Sequence, residues 1–421
     1  MVLGVCEEFL RIFTELINAI GQDGSAPEKL VRATMVALDK GNGKSKDAPK
    51  RYRLIHLLEV PTKVVSVLLV ARSELLAPRC QFGFVRQKGT RDCATYKAVL
   101  KRRLEVLRRG TTAVVNFDLR EAFPSVSWES IGAMQEHAEG DVRRARELIT
   151  LMSMNAKVAM KHRGLEKTYQ MTRGVRQGDV SGPPVFNEVF GRQLSDWLLQ
   201  WPEWGLEKLY WKSEDQYHLA NVVPFADDLE AILLMRGEEM EDWVRTLQKL
   251  EESFEQCASG MGVDLNKEKT ERQVLARGRG AVKRTQRMQK LVGLNYKGEA
   301  LGTVQVASGA QAEEVKARVQ AAWGRLAEVR GLLRKTGERV RRVVAKMVVL
   351  GTLLWGLEWV SLTKTQMSML EKALTKMARS TMPNNGYEQS EDGTRVLCTR
   401  QEAREWFGCQ AVERELRRRG G

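Results

Sequence analysis

The sequence predicts an α+β fold: a mixed body of strands and helices to about residue 305, then a basic helical bundle. Three observations carry that prediction. The runs TTAVVNFDL (111–119) and VVPF-ADD-LEAILL (222–234) have the length and apolar content of buried strands, the second one folded back as a hairpin. From Val315, apolar residues recur in alternating steps of four and three (Val315, Val319, Ala322, Leu326, Val329, Leu333), the seam of a helix packed on other helices. The 421 residues are 43% apolar, enough for two or three domains with real cores and too apolar for wholesale disorder.

The elements follow in order. Residues 1–24 read as an amphipathic helix, because Glu7 and Glu8 stand where a signal peptide needs its apolar centre. A polar, Gly-rich link leads to a strand at 31–38, a basic loop at 39–53 and a helix at about 61–76. Thr90 caps another helix with the stripe Tyr96, Leu100, Leu104 and Leu107, stopped by Gly110. After the strand at 111–119, residues 128–150 predict one mostly polar helix. Residues 271–290 carry seven Lys and Arg with only Glu271 at their edge, and predict an exposed basic connector. Two further helices are expected at about 338–357 and 364–382, and the polar tail from 384 is given no element. The most apolar stretches, such as 343–357, are too short or too interrupted to span a bilayer, so no membrane association is expected.

Charge bounds the partners. With 68 Lys and Arg against 53 Asp and Glu the chain carries +15, which favours polyanions, above all nucleic acid, over a merely basic soluble protein. Six scattered cysteines without a C-x-x-C pair, and only four histidines, build no close-spaced zinc module. Free thiols suit a reducing intracellular compartment, nucleus and cytoplasm being equally compatible.

Asp227 and Asp228 sit side by side in an apolar run. Adjacent buried carboxylates repel and lose water, so something must compensate them. At a hairpin tip they can point into a cleft where divalent cations, Mg²⁺ above all, supply the compensation. Asp118, ending the strand of residues 111–117, is a third acid in a matching setting. One strand-end carboxylate facing two on a neighbouring hairpin is the arrangement of a two-metal site for phosphoryl transfer. A solvated polar turn and a strand-end cap are the plainer readings of these acids.

NFDLREAFPSV, GVRQGDVSGPPVFN, FADDL and GMGVDLNKEKTE, in this order, resemble the successive palm motifs of reverse transcriptases. The fuller likeness is to the non-LTR (LINE-type) retrotransposon enzymes. RYRLIHLLEVPTKVVSVLLVAR and QFGFVRQKGTRDCATY are similar to that group's fingers motifs, and AAWGRL and LLWGLEW to its thumb region.

The resemblance implies a right-hand polymerase with fingers (25–110 and 131–172), an antiparallel-sheet palm (111–130 and 173–305), a helical basic thumb (306–385) and a tail (386–421) without assignment. It implies an RNA-directed DNA polymerase that extends a DNA primer or target on an RNA template with dNTPs, using two Mg²⁺ ions, with Mn²⁺ as the alternative. Asp118 and Asp227 would hold both ions, with Asp228 nearby and the Leu119 carbonyl as a further ligand. Lys269 would protonate the departing pyrophosphate, although Lys267 stands two residues away. Phe123 falls on the sugar-gate position, Gln177 and Gly178 would contact the incoming nucleotide, and Lys40 and Arg53 would reach its triphosphate or the template.

Several positions depart from the family pattern. Val180-Ser181-Gly182 stands for the usual Pro-Leu-Ser, Leu54 for a proline, and Pro124 for the second Asp of A-F-D. Pro224 interrupts the strand before FADD, which is tolerable only where no ladder N–H is needed. A group II intron-type reverse transcriptase, and a decayed copy that binds RNA without polymerising, are the alternatives.

Overall fold

The computed structural model describes the chain except residues 1–6, 24–25, 42–44, 46–47, 49–50, 108–110, 163–164, 205, 214–215, 236–238, 277–279, 296, 301–302, 308–309, 359 and 421. Helices α1 (Glu7–Asp23) and α2 (Glu28–Val31) lead into strands β1 (Arg32–Asp39) and β2 (Tyr52–Leu58). Helix α3 (Val60–Ser73), with a proline in its first turn, ends where Glu74 turns left-handed (φ 48°), and α4 (Thr90–Leu107) follows. Gly110, the expected stop of α4, lies outside the described residues.

Strand β3 (Thr111–Phe117) is buried at every position but Asn116, its threonines included, around the apolar Ala113, Val114 and Val115. The helix expected over 128–150 is broken. After the single turn α5 (Ala122–Ser125) come α6 (Trp128–Gly132), whose Ser127 Oγ accepts from the Ser130 N–H, and α7 (Gly140–Met154). Between them a short 3-10 turn and left-handed His137 (φ 63°) redirect the chain, and α7 opens on left-handed Gly140 (φ 52°), a break that an even spread of polar residues hides.

Strands β4 (Lys157–His162) and β5 (Leu165–Gln170) complete a sheet of order β2-β1-β4-β5, in which β1 pairs β4 in parallel and the other pairs are antiparallel. Helix α8 (Gly182–Gln200) and the small hairpin β6 (Tyr210–Ser213) and β7 (Gln216–Leu219) precede β8 (Val222–Phe225) and β9 (Asp228–Met235). These last two form the expected hairpin, with Phe225 paired to Asp228 and a two-residue loop, Ala226-Asp227. The amphipathic α9 (Met240–Gly260) and β10 (Glu271–Leu275) follow, and a second sheet has the order β10-β3-β9-β8. Pro224 thus lies on the terminal strand β8, where its missing N–H is tolerated.

The stretch 271–290 is not a bare connector. Its first residues are β10, paired with β3 from Glu271↔Asn116 to Leu275↔Thr112, and its last belong to α10 (Ala281–Val292), bounded by left-handed Gly280 and Gly293. A strand presenting alternate residues to opposite faces accommodates basic side chains while burying Gln273.

The small hairpin β11 (Gly298–Ala300) and β12 (Thr303–Gln305) leads to α11 (Ala312–Lys335), α12 (Glu338–Leu353) and α13 (Lys364–Thr381). Val315, Ala322, Leu326 and Leu333 are buried, with Val319 and Val329 packed against them, so the four-and-three stripe is the seam it predicts. Beyond 384, where the polar sequence suggests no element, the chain forms hairpin β13 (Tyr387–Gln389) and β14 (Arg395–Leu397), then α14 (Arg400–Phe407) and α15 (Val412–Gly420). Trp406, Phe407, Val412 and Leu416 enter the same core cluster as the three long helices.

The chain divides into two compact units. One comprises Met1–Gln87, Phe117–Ala231 and Glu239–Thr270, and its core gathers Phe117, Trp197, Trp201 and Phe254, whose rings lie 4.3–6.5 Å apart. The other comprises Lys88–Asn116, Ile232–Glu238 and Glu271–Gly421, and contains the helical cluster just described. No described helix is long and apolar enough to cross a membrane.

Candidate active site

Asp118 is the first residue past β3. The chain there runs against the segment after α9 through an isolated antiparallel bridge, Leu119↔Leu265. Asn266 N–H donates to the Asp118 carbonyl (2.8 Å) and Arg120 N–H to the Asp264 carbonyl (2.8 Å). Those two bonds flank Leu119, so its own N–H and C=O point away from Leu265 while its side chain is buried. The Asn266 side-chain amide donates to Asp118 Oδ2 (2.7 Å), and Lys269 Nζ stands 3.4 Å from the same oxygen. Lys267 instead pairs with Glu255 at 2.7 Å, so the structure distinguishes two lysines that the sequence leaves equivalent.

Asp227 is the second residue of the hairpin loop. Burial pushes its carboxyl above the ordinary aspartate range and the charge of Asp118 adds to the rise, while its own backbone N–H, Arg53 and Lys269 oppose it. Asp118, Asp227, Arg53 and Lys269 are therefore electrostatic neighbours drawn from β2, the end of β3, the hairpin tip and the loop after α9. Asp228 opens β9 and is exposed, and no group of three His, Cys, Asp or Glu suited to a metal occurs among the described residues. Two converging carboxylates, one of them disfavoured as an anion by its surroundings, are hard oxygen donors that fit a divalent cation such as Mg²⁺.

The remaining site residues frame this group. Phe123 is half-buried, its ring 4.8 Å from Phe186 and edge-on to Phe84 at 5.9 Å. The Gln177 carbonyl accepts from the His56 N–H of β2 at 2.7 Å. Gly178 is left-handed (φ 115°), and a Cβ there would fall 2.5 Å from the His56 carbonyl oxygen, so only glycine permits this approach. Next to it Arg176 and Asp179 form a buried ion pair at 2.6 Å, Arg176 also donating to the carbonyls of Leu30 and Val31. Lys40 stands exposed on the loop after β1, outside the carboxylate group.

Sequence reasoning missed Asn266, His56 and Gln81. All three lie inside quoted motifs, but their partners are far along the chain.

In the second unit, a cavity of about 630 Å³ between α11 and α13 has Val319, Trp323 and Met369 among its apolar walls and Lys364, Lys372 and Lys376 among its basic ones. Arg341 is engaged locally, donating to the carbonyls of Leu333 and Thr336 at the end of α11, and Arg342 lies over the Trp406 ring at 5.7 Å.

The chain belongs to the reverse transcriptase (RNA-dependent DNA polymerase) family, whose sequence profile matches residues 40–306, more than half of its length. Its enzyme class is accordingly that of a nucleotidyltransferase, an RNA-directed DNA polymerase. No curated protein matches the chain. Among solved structures it is similar to the apo telomerase of Candida tropicalis truncated from its C-terminal domain, at 13% identity and a TM-score of 0.43, over 71% of this chain and 59% of that one. It is also similar to the untruncated apo telomerase of Candida tropicalis (13%, TM-score 0.43, 94% and 72%). A third is the telomerase of Candida albicans in complex with a TWJ fragment of telomeric RNA (10%, TM-score 0.42, 96% and 71%).

His56 gives this region a pH signature. Burial and then the Arg176 charge hold its imidazole below the ordinary value of 6.5, Asp179 opposing, and its Nδ1 has no hydrogen-bond partner among the described residues. The unfolded chain therefore binds more protons than the folded one between the lowered value and 6.5. Stability is full above 6.5 and is lost as pH falls toward the lowered value. Melting temperature against pH should show this fall in the wild type and lose it in His56→Leu; equal slopes in both would contradict the assignment.

Proposed function

We propose that this chain is the reverse transcriptase of a non-LTR (LINE-type) retrotransposon-like element, extending a DNA primer on an RNA template. The observation that carries the reading is the convergence of Asp118 and Asp227 with Lys269 and Arg53 at the hairpin tip. The order of the motifs, from the fingers-like blocks to LLWGLEW, supports the non-LTR assignment. The fingers, palm and thumb boundaries at 110, 130, 172, 305 and 385 belong to the same proposal.

In this reading the primer 3′-OH attacks the α-phosphate of a dNTP paired to the template, and pyrophosphate leaves. Two bound Mg²⁺ ions would supply charge neutralisation for the attacking and leaving oxygens. Asp118 and Asp227 would hold them, with the Leu119 carbonyl and Asp228 as further oxygens. Lys269, positioned by Asp118, gives its proton to the pyrophosphate. Arg53 and Lys40 meet the triphosphate or template, and Gln177 and Gly178 border the nucleotide. The lysine-walled cavity and the exposed basic residues of α11 and α12 track phosphates without reading sequence.

A second reading, a folded copy that binds RNA and does not polymerise, is favoured by one observation: Val180-Ser181-Gly182 replaces the family's usual Pro-Leu-Ser. Primer extension separates the two. Asp227→Asn should lower Mg²⁺-dependent extension by a few orders of magnitude, since losing a metal clamp forfeits several kcal/mol of charge stabilisation. In metal-free buffer near neutral pH its melting temperature should equal or exceed that of the wild type, because repulsion with Asp118 is removed. A variant keeping a tenth of wild-type extension would overturn the assignment, and a wild type without extension would select the second reading.

Phe123 should exclude a 2′-OH by clash, the ring resting on Phe186. Phe123→Val should raise kcat/KM for an rNTP relative to its dNTP while dNTP use is little changed. Unchanged selectivity, with a loss of stability approaching the roughly 3–5 kcal/mol of a Phe→Ala core truncation, would make the ring structural.

Charge reversal of the exposed Arg330, Arg334, Lys335 and Arg339 should flatten the slope of log affinity for an RNA–DNA hybrid against log salt, by roughly 0.7–0.9 for each phosphate no longer neutralised. An unchanged slope would mean that this face is only solvated surface.

A further inference from the structure

The hairpin loop that carries Asp227 is held in an unfavourable conformation. Its first residue, Ala226, is left-handed (φ 57°), while Asp227 is not. A positive φ at the first central residue only is the pattern of a type II′ turn, in which glycine is the usual occupant. A side chain at that φ is unfavourable, so surrounding structure must impose it.

Gln81 does so. Its side chain is fully buried and grips Ala226 from both sides. Oε1 accepts the Ala226 N–H at 2.9 Å, and Nε2 donates to the Ala226 carbonyl at 3.1 Å. The same oxygen accepts the N–H groups of Phe82 (3.0 Å) and Gly83 (2.8 Å), which fixes the amide itself. Phe82 N–H also donates to the Pro224 carbonyl at 3.0 Å, so residues 81–83 run along β8 up to the loop. Gly83 is what allows this approach: a Cβ there would stand 2.2 Å from the Ala226 nitrogen. Behind it the buried Asn187 of α8 donates to the Gly83 carbonyl at 3.1 Å.

We propose that Gln81 is a positioning residue for Asp227, its amide holding Ala226 left-handed so that the next residue's carboxylate is aimed at Asp118. This rests on the reading of Asp227 as a metal-holding acid. The amide acts as a strand would, offering one donor and one acceptor to a single residue, at the edge of a sheet where no backbone does so. Displacements of about 1 Å in a reacting group can cost on the order of 100-fold in rate. Loss of the grip should therefore appear in kcat rather than in substrate binding.

The test uses Gln81→Leu, which removes every polar contact, and Gln81→Glu, which keeps the accepting oxygen and loses the donor to the Ala226 carbonyl. Each is made alone and with Ala226→Gly, since glycine adopts the positive φ without support. Folding is checked by melting temperature, and Asp227→Asn is run in parallel. The expected result is a kcat for dNTP incorporation lowered roughly 10–100-fold, with KM and hybrid affinity near wild type. Deuterium uptake in residues 222–230 should be faster, and kcat should recover at least partly in the Ala226→Gly background. A Gln81→Glu enzyme with wild-type kcat and wild-type exchange would overturn the proposal, as would a loss of kcat that Ala226→Gly does not relieve. If Gln81→Leu does not fold, Gln81→Glu decides. Inactive Asp227→Asn beside a wild-type-like Gln81→Glu defeats the positioning role alone. Active Asp227→Asn defeats the reading of the site on which it rests.

Discussion

The candidate site of the first unit carries one electrostatic burden, two partly buried carboxylates brought near each other. Asp227 is pushed toward its neutral form by burial and by Asp118, and the fold answers with a short set of fixed countercharges and dipoles. Lys269 and the Asn266 amide stand on Asp118, and Arg53 stands on the Asp227 side. These are partial answers, because an isolated buried anion costs more than one amide or an exposed lysine returns. In the proposed reading a divalent cation would complete them, and the electrostatic cost carried by the protein alone would favour binding it.

The scaffold delivers those acids through short-range geometry. β3 ends at Asp118 because the chain is captured there by the segment after α9, through backbone bonds to Asp264 and Asn266. Asp227 is delivered by the tightest hairpin available, in a turn that alanine does not favour by itself. Glycines at 83 and 178 then permit two backbone contacts, to Ala226 and to His56, that any side chain would block. Each glycine thus couples a motif to an element remote in sequence.

Much of this was legible in the sequence, and the exceptions have physical causes. The strands flanking the acids and the seam of α11 were readable because periodicity and apolar content agree there. The break between α6 and α7 was hidden because polar residues suit a helix and a turn alike. β10 was hidden by the basic residues that follow it and by its own Glu271, Arg272 and Gln273, polar side chains that a sheet strand tolerates. The tail concealed its core residues in α14 and α15, short helices where Trp406, Phe407, Val412 and Leu416 are scattered among charges. In the site, the choice of Lys269 over Lys267 depended on Glu255, a partner on α9 that no local pattern names. Gln81 was visible only as a letter in a fingers-like block, because what it grips lies 145 residues away.

The central claim is that Asp118 and Asp227 together form a cation site, and direct ion binding tests it without any nucleic acid. Mn²⁺ titrated into the protein and followed by electron paramagnetic resonance reports free ion, and Mg²⁺ competition reports whether the site takes both. The account predicts saturable Mn²⁺ binding that Mg²⁺ displaces, lost in Asp118→Asn and in Asp227→Asn while both variants remain folded. Equal binding by the wild type and the two variants would contradict it.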